Sequence, residues 1–125
     1  MIRTPFMVAR SALALLLIAF GAVVSAWAAE LTFDLKVERG RVAENMRLIR
    51  VKQGDVVKLR WTSDQVLVVH LHGYDIEKRV VPTPATEMTF TAYATGRFPI
   101  HAHTQGAGGR SHEEPPLVNV EVYPR

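Results

Sequence analysis

The chain has 125 residues, which is enough for one domain of ordinary size. It contains no cysteine, so disulfides, thiolate metal ligands and cysteine nucleophiles are all excluded. The formal net charge is +3, and no run of basic residues with interleaved aromatic side chains occurs. This pattern argues against nucleic acid as a partner.

The first 28 residues have the features of a secretory signal peptide. Arg3 and Arg10 give a positively charged start, and the apolar run Ser11–Val24 is too short to span a bilayer comfortably. The stretch Ala26-Trp27-Ala28 is a small-x-small cleavage box. We therefore predict a signal-peptide helix cleaved after Ala28, export to the periplasm, and a mature domain over residues 29–125 that does not span the membrane. An uncleaved anchor helix is the alternative.

The rest of the chain consists of short apolar stretches separated by turn residues. Alternation of apolar and polar side chains over Leu31–Glu38 is typical of a strand with one buried face. Seven to eight such strands, with turn signals about every ten residues and no competing amphipathic helix, predict an all-β sandwich or barrel. The predicted strands are Leu31–Glu38, Met46–Val51, Val56–Trp61, Val66–His72, Glu77–Val81, Glu87–Thr91, Phe98–Ala102 and Leu117–Val122.

Prolines mark two places where strand pairing is restricted, because proline has no N–H to donate to a sheet ladder. Pro82 and Pro84 follow the stretch Glu77–Val81, which is therefore expected to be a connecting or edge segment. Pro99 lies near the start of Phe98–Ala102, and an edge or bulge position is expected there too.

Four of the five histidines form two His-x-His pairs. His70 and His72 make the first pair and His101 and His103 the second, each at the C-terminal end of a predicted strand. Side chains two residues apart on a strand point to the same face, so each pair presents two imidazoles side by side. Neutral imidazole ligates copper and zinc, and an all-nitrogen site suits Cu(II) or zinc. The pattern predicts a metal site where these strands adjoin.

The remaining polar candidates are weaker. His112 lies in a glycine-rich loop beside Glu113 and is expected to be solvated, although it is available to complete a metal shell. Asp75 and Glu77 have the pattern of a solvated strand face. No nucleophile-elbow pattern and no general acid or base can be identified, so we do not predict an enzyme.

Three stretches together resemble the cupredoxin family. Arg50–Leu59 is similar to the second-strand hallmark of cupredoxins, and Val68–Asp75 to the strand that ends in a copper-binding histidine, with His70 at the ligand position. Gly96–His103, followed by a glycine-rich loop and a last strand, is similar to the closing segment. The resemblance covers nearly all of the mature domain and implies a Greek-key β-sandwich of cupredoxin type.

The resemblance fails at the blue-copper ligands. By strand parity Ala102 stands where the thiolate belongs, and Gly109 or Arg110 stands where the axial methionine is expected. The resemblance therefore does not imply a blue-copper electron-transfer site.

A second resemblance concerns the histidines themselves. His70-x-His72-Gly73 and His101-x-His103 are similar to the motifs in the first domain of multicopper oxidases, on the face that meets a partner domain. A trinuclear cluster needs histidines from a second domain, so oxidase activity is not implied. Small exported bacterial cupredoxin-like proteins show a similar pattern. The resemblance implies an exported copper-binding protein for storage, delivery or protection; the alternative is a metal-free module that contacts a periplasmic or membrane protein.

Overall fold

The computed structural model describes Gly21, residues 28–103 and residues 114–125. The predicted signal peptide, apart from Gly21 and Ala28, lies outside the described residues, and so does His112. Within the described part, no helix is long and apolar enough to cross a membrane. That part contains one short 3-10 helix, Glu44–Met46, and nine strands: β1 (Glu30–Glu38), β2 (Arg41–Val42), β3 (Leu48–Lys52), β4 (Val56–Ser63), β5 (Leu67–Leu71), β6 (Ile76–Val80), β7 (Thr86–Thr91), β8 (Gly96–His103) and β9 (Val118–Tyr123).

The strands form two mixed sheets that share one hydrophobic core. The first sheet has the order β2-β1-β4-β7, and the second has the order β3-β9-β8-β5-β6. The pairs β1–β4 and β3–β9 are parallel, and the other strand pairs are antiparallel. The predicted all-β sandwich with Greek-key connections is confirmed.

The core follows directly from the period-two pattern of the strands. In each sheet, alternate residues of the central strands are buried while their neighbours face outward. Because the chain has no cysteine, this apolar burial, about 1.5 to 3 kcal/mol for each large side chain, stabilises the domain without covalent cross-links. The buried apolar residues of the two central strands are Val57, Leu59 and Trp61 in β4 and Leu67, Val69 and Leu71 in β5.

Strand β8 lies between β9 and β5, so the predicted edge or bulge position of Pro99 is wrong. The carbonyl of Pro99 accepts a hydrogen bond from the N–H of His72 at 3.0 Å. The nitrogen and carbonyl of a strand residue point to the same neighbour, and β5 already ends at Leu71. The N–H that Pro99 lacks would therefore point just beyond the end of β5, where it would not pair with a carbonyl of that strand.

Strand β6 lies where the sequence pattern predicted, whereas β3 begins later than predicted. Strand β6 (Ile76–Val80) lies at the edge of the second sheet, as the following prolines predicted. Met46, in contrast, does not begin a strand. Its N–H donates to the carbonyl of Ala43 at 2.8 Å and closes the 3-10 turn, so β3 begins only at Leu48.

Candidate metal site

The two histidine pairs meet in the middle of the second sheet. His70 and His101 are directly opposite each other in the antiparallel β5–β8 pair, and His103 is opposite Val68. His72 follows the end of β5 and hydrogen-bonds to Pro99 of β8. The strands run in opposite directions, but the pairs overlap in register, so the structure brings all four histidines together.

All four histidines lie on the outer face of this sheet. The residues that alternate with them, Val69 and Leu71 on β5 and Ile100 on β8, are buried in the core. The histidines themselves are half-buried, and the side chain of His70 is 21% exposed. The site is therefore open to solvent and is not sealed between the two sheets.

The imidazole rings form a connected row. The ring centres of His70 and His72 are 4.1 Å apart, those of His72 and His101 are 4.9 Å apart, and those of His70 and His103 are 6.4 Å apart. Two imidazoles bound to one ion through bonds of about 2 Å have ring centres roughly 4 to 6 Å apart. The His70–His72 and His72–His101 spacings thus suit shared coordination, whereas the 6.4 Å between His70 and His103 is slightly too long.

The donors are paired rather than closed into a cage. Within residues 28–103 and 114–125, no group of three or more histidine, aspartate or glutamate side chains is arranged to hold one metal ion. The chemistry of the donor set nevertheless fits copper or zinc, because neutral nitrogen ligands on a half-exposed surface bind these ions and give them access.

Glu77 lies on a solvated face, as the sequence pattern predicted, with its side chain 63% exposed, and it is also next to the histidines. It is opposite His70 in the β5–β6 pair, and its Oε1 lies 3.8 Å from Nδ1 of His70. Carboxylates beside the second nitrogen of a ligating histidine orient the ring and raise its basicity. The signal that could have revealed Glu77 is the tight turn at Gly73, which folds β6 back onto β5.

The turn after His72 is fixed against β8. Gly73 has a φ of +86°, and a Cβ at this position would lie 2.8 Å from Cε1 of the Phe98 ring. The next residue, Tyr74, donates its hydroxyl hydrogen to the carbonyl of Ala94 at 3.0 Å. Burial raises the pKa of the Tyr74 hydroxyl above its ordinary value, so this donor stays neutral. The turn therefore holds His72 next to His101.

Comparisons with known proteins identify the fold. No family model matches the chain, and no curated protein matches it. Among solved structures, the chain is similar to the periplasmic domain of subunit II of cytochrome oxidase (CoxB) of Bradyrhizobium japonicum, with a TM-score of 0.59, 16% identity, and coverage of 80% of this chain and 88% of that one. The chain has a cupredoxin-like fold.

Two larger copper proteins contain a region of the same fold. The multi-copper oxidase from Pseudomonas thermotolerans matches with a TM-score of 0.58 and 19% identity over 79% of this chain and 31% of that one. The Cu-containing nitrite reductase from Thermus scotoductus matches with a TM-score of 0.58 and 22% identity over 78% of this chain and 28% of that one. This cupredoxin-like domain thus spans less than a third of either chain, and the likeness shows the shared fold.

The cupredoxin-like fold also locates the two positions that the resemblance assigned to copper ligands. Ala102 is opposite Val69 and packs against the core, whereas His70 is opposite His101 on the outer face. The histidine and the residue at the thiolate position therefore lie on opposite faces of the sheet and share no site. Gly109, Arg110 and His112 lie outside the described residues.

Proposed function

We propose that this chain is an exported cupredoxin-like protein, cleaved after Ala28, that binds copper in the periplasm for storage, delivery or protection. The observation that carries the proposal is the row of four imidazoles, His70, His72, His101 and His103, on one face of a cupredoxin-like sheet. The names of similar structures, which include a multi-copper oxidase and a Cu-containing nitrite reductase, add support. The proposed role is binding rather than catalysis.

The chemistry of the site follows from its donors. The ion takes neutral imidazole nitrogens, with water or His112 completing the shell. Oε1 of Glu77 lies 3.8 Å from Nδ1 of His70, so we assign Nε2 of that ring to the metal. Protonated imidazole cannot ligate, so copper affinity falls as the pH drops below about 6.5.

A second candidate function is a metal-free module that contacts a periplasmic or membrane protein. Two observations favour it. The described residues contain no closed group of three metal donors. One similar structure is a domain of subunit II of cytochrome oxidase, a protein with partner subunits. In this role the histidines would serve as packing or contact residues on the outer face.

Thermal unfolding separates the two functions. Thermal unfolding of the protein recovered after export is measured without added metal and with one equivalent of Cu(II), Cu(I) or Zn(II). A ligand that binds only the folded state raises the midpoint according to RT ln(1 + [L]/Kd). Copper binding predicts a metal-selective rise that disappears in the double variant His70→Ala, His103→Ala and persists in Asn119→Ala, a change at a half-buried residue of the same sheet. No rise with any metal would support the metal-free function.

A further inference from the structure

A buried carboxylate lies in the turn between β3 and β4, apart from the histidines. Asp55 is 3% exposed. Its Oδ2 accepts the N–H of Lys52 at 2.9 Å, and its Oδ1 accepts the N–H of Ala29 at 3.1 Å and a hydrogen bond from the guanidinium of Arg125. A buried charge costs free energy unless it is paired and hydrogen-bonded, and these donors supply that pairing.

The nitrogen of Ala29 is held in place on this carboxylate. The carbonyl of Ala29 accepts the N–H of Val56 at 2.9 Å, and parallel pairing of β1 with β4 begins at the next residue, Glu30. The nitrogen therefore cannot turn away from Asp55 without disturbing the start of β1. Ala29 is also the residue that directly follows the cleavage box.

We propose that Asp55 is the receptor for the α-ammonium group that cleavage between Ala28 and Ala29 creates. In the uncleaved chain this nitrogen is a peptide N–H and brings one neutral hydrogen bond. After cleavage the same nitrogen is an ammonium group. It carries a positive charge and additional N–H donors, and it lies beside the buried carboxylate of Asp55. Charge-assisted hydrogen bonds are about twice as strong as neutral ones. The domain thus gains a second ion pair on Asp55, in addition to the one with Arg125, only once the signal peptide has been removed.

Among the ionisable groups around Ala29, the α-amine is the one whose ordinary pKa lies near 8. The groove around it is lined by Leu31, Val51 and the ionisable residues Arg50, Lys52, Asp55, Tyr123 and Arg125. A hydrogen bond to Glu121 raises the pKa of Tyr123 above its ordinary value. Aspartate and glutamate side chains lose their protons at acid pH, so their charge does not change between pH 7 and 9.5.

The sign of the pH effect follows from the pairing. An unpaired α-amine has a pKa of about 7.7 to 8.0. The Asp55 carboxylate favours the charged form, so the pKa of this ammonium is raised in the folded protein. Its stabilisation is complete below the unfolded pKa and is lost as the pH rises through the folded pKa.

The inference rests on the export and cleavage in the proposed function, but not on copper, so it is tested with a chelator present. The full chain is exported, and the mass of the recovered protein gives its first residue. Thermal midpoints are then measured from pH 7 to 9.5 for the wild type, Asp55→Asn and Asp34→Asn, in which the replaced carboxylate is 80% exposed. Transamination of the α-amine to a ketone removes the charge without any mutation.

We expect a protein that begins at Ala29 and a wild-type midpoint that falls by about 4 to 8 °C more between pH 7 and 9.5 than that of the transaminated protein. Asp34→Asn keeps this alkaline fall, and Asp55→Asn loses it. If Asp55→Asn does not fold, the comparison of the amine and ketone forms of the wild type still tests the proposed ion pair. A different first residue, or equal pH profiles for the amine and ketone forms, would overturn the proposal while leaving copper binding untouched.

Discussion

His70 on β5 and His101 on β8 occupy directly opposed positions in the second sheet. This register decides whether the four imidazoles meet, because a slip of one residue would turn one histidine pair to the other face. The register is fixed in turn by Val69, Leu71 and Ile100, which are fully buried and must face the core. The geometry of the candidate site is therefore a consequence of core packing.

Replacing Glu77 with glutamine is expected to weaken copper binding by about tenfold, because the carboxylate beside Nδ1 of His70 no longer orients the ring. The measurement is a Cu(II) competition titration at pH 7.4. Glu44→Gln, in the 3-10 turn away from the sheet face, is the matched control and should bind as the wild type does. Equal affinities for the two variants would show that Glu77 has no part in the site.

Gly73→Ala and Gly54→Ala form a matched pair at two turns. Both glycines have positive φ values, +86° and +91°, so both substitutions strain the backbone. Only at Gly73 would the added Cβ meet the ring of Phe98; at Gly54 it would meet nothing within 4 Å. Urea unfolding should show a larger loss of stability for Gly73→Ala, together with weaker copper binding because His72 is displaced. A larger loss for Gly54→Ala would contradict this interpretation.

Leu59→Ala is expected to cost about 2 to 5 kcal/mol, because it opens a cavity at a fully buried position of β4. Leu48→Ala removes the same atoms from a residue that is 40% exposed and should cost clearly less. The free energy of unfolding of each variant, from urea titration, checks both values. Similar costs for the two changes would mean that the core is not packed as described.

The loss of stability at acid pH should depend on Asp55. Burial raises the pKa of its carboxyl, but the N–H groups of Lys52 and Ala29 and the guanidinium of Arg125 outweigh burial and hold the pKa below its ordinary value. A lowered folded pKa gives stability that is present above the unfolded value of about 3.9 and is lost as the pH falls through the folded value.

Urea unfolding of Asp55→Asn between pH 7 and 2 should therefore show a flatter acid limb than the wild type. Asp34→Asn, whose carboxylate is exposed, serves as the control and should retain the wild-type slope. An unchanged acid limb in Asp55→Asn would mean that this carboxylate does not contribute to the loss of stability in acid.

Much of the fold could be predicted from the sequence, because period-two alternation such as that of Leu31–Glu38 depends only on which side chains are buried. The position of Pro99 could not, because an interior proline is tolerated only when the neighbouring strand ends beside it, and strand order is not a local property. The contact of Glu77 with His70 likewise depends on a turn between two strands. The histidine pairs were visible in the sequence, but their overlap depends on the β5–β8 register.

Electron paramagnetic resonance of the exported protein with one equivalent of Cu(II) shows whether the histidines bind copper. Coupling of the copper electron to nitrogen nuclei reports how many imidazoles are bound. We expect a nitrogen-rich spectrum at pH 7.4 that is lost in the double variant His70→Ala, His103→Ala and retained in Asn119→Ala. A spectrum that is identical in the wild type and the double variant would contradict copper binding at the outer face of the sheet.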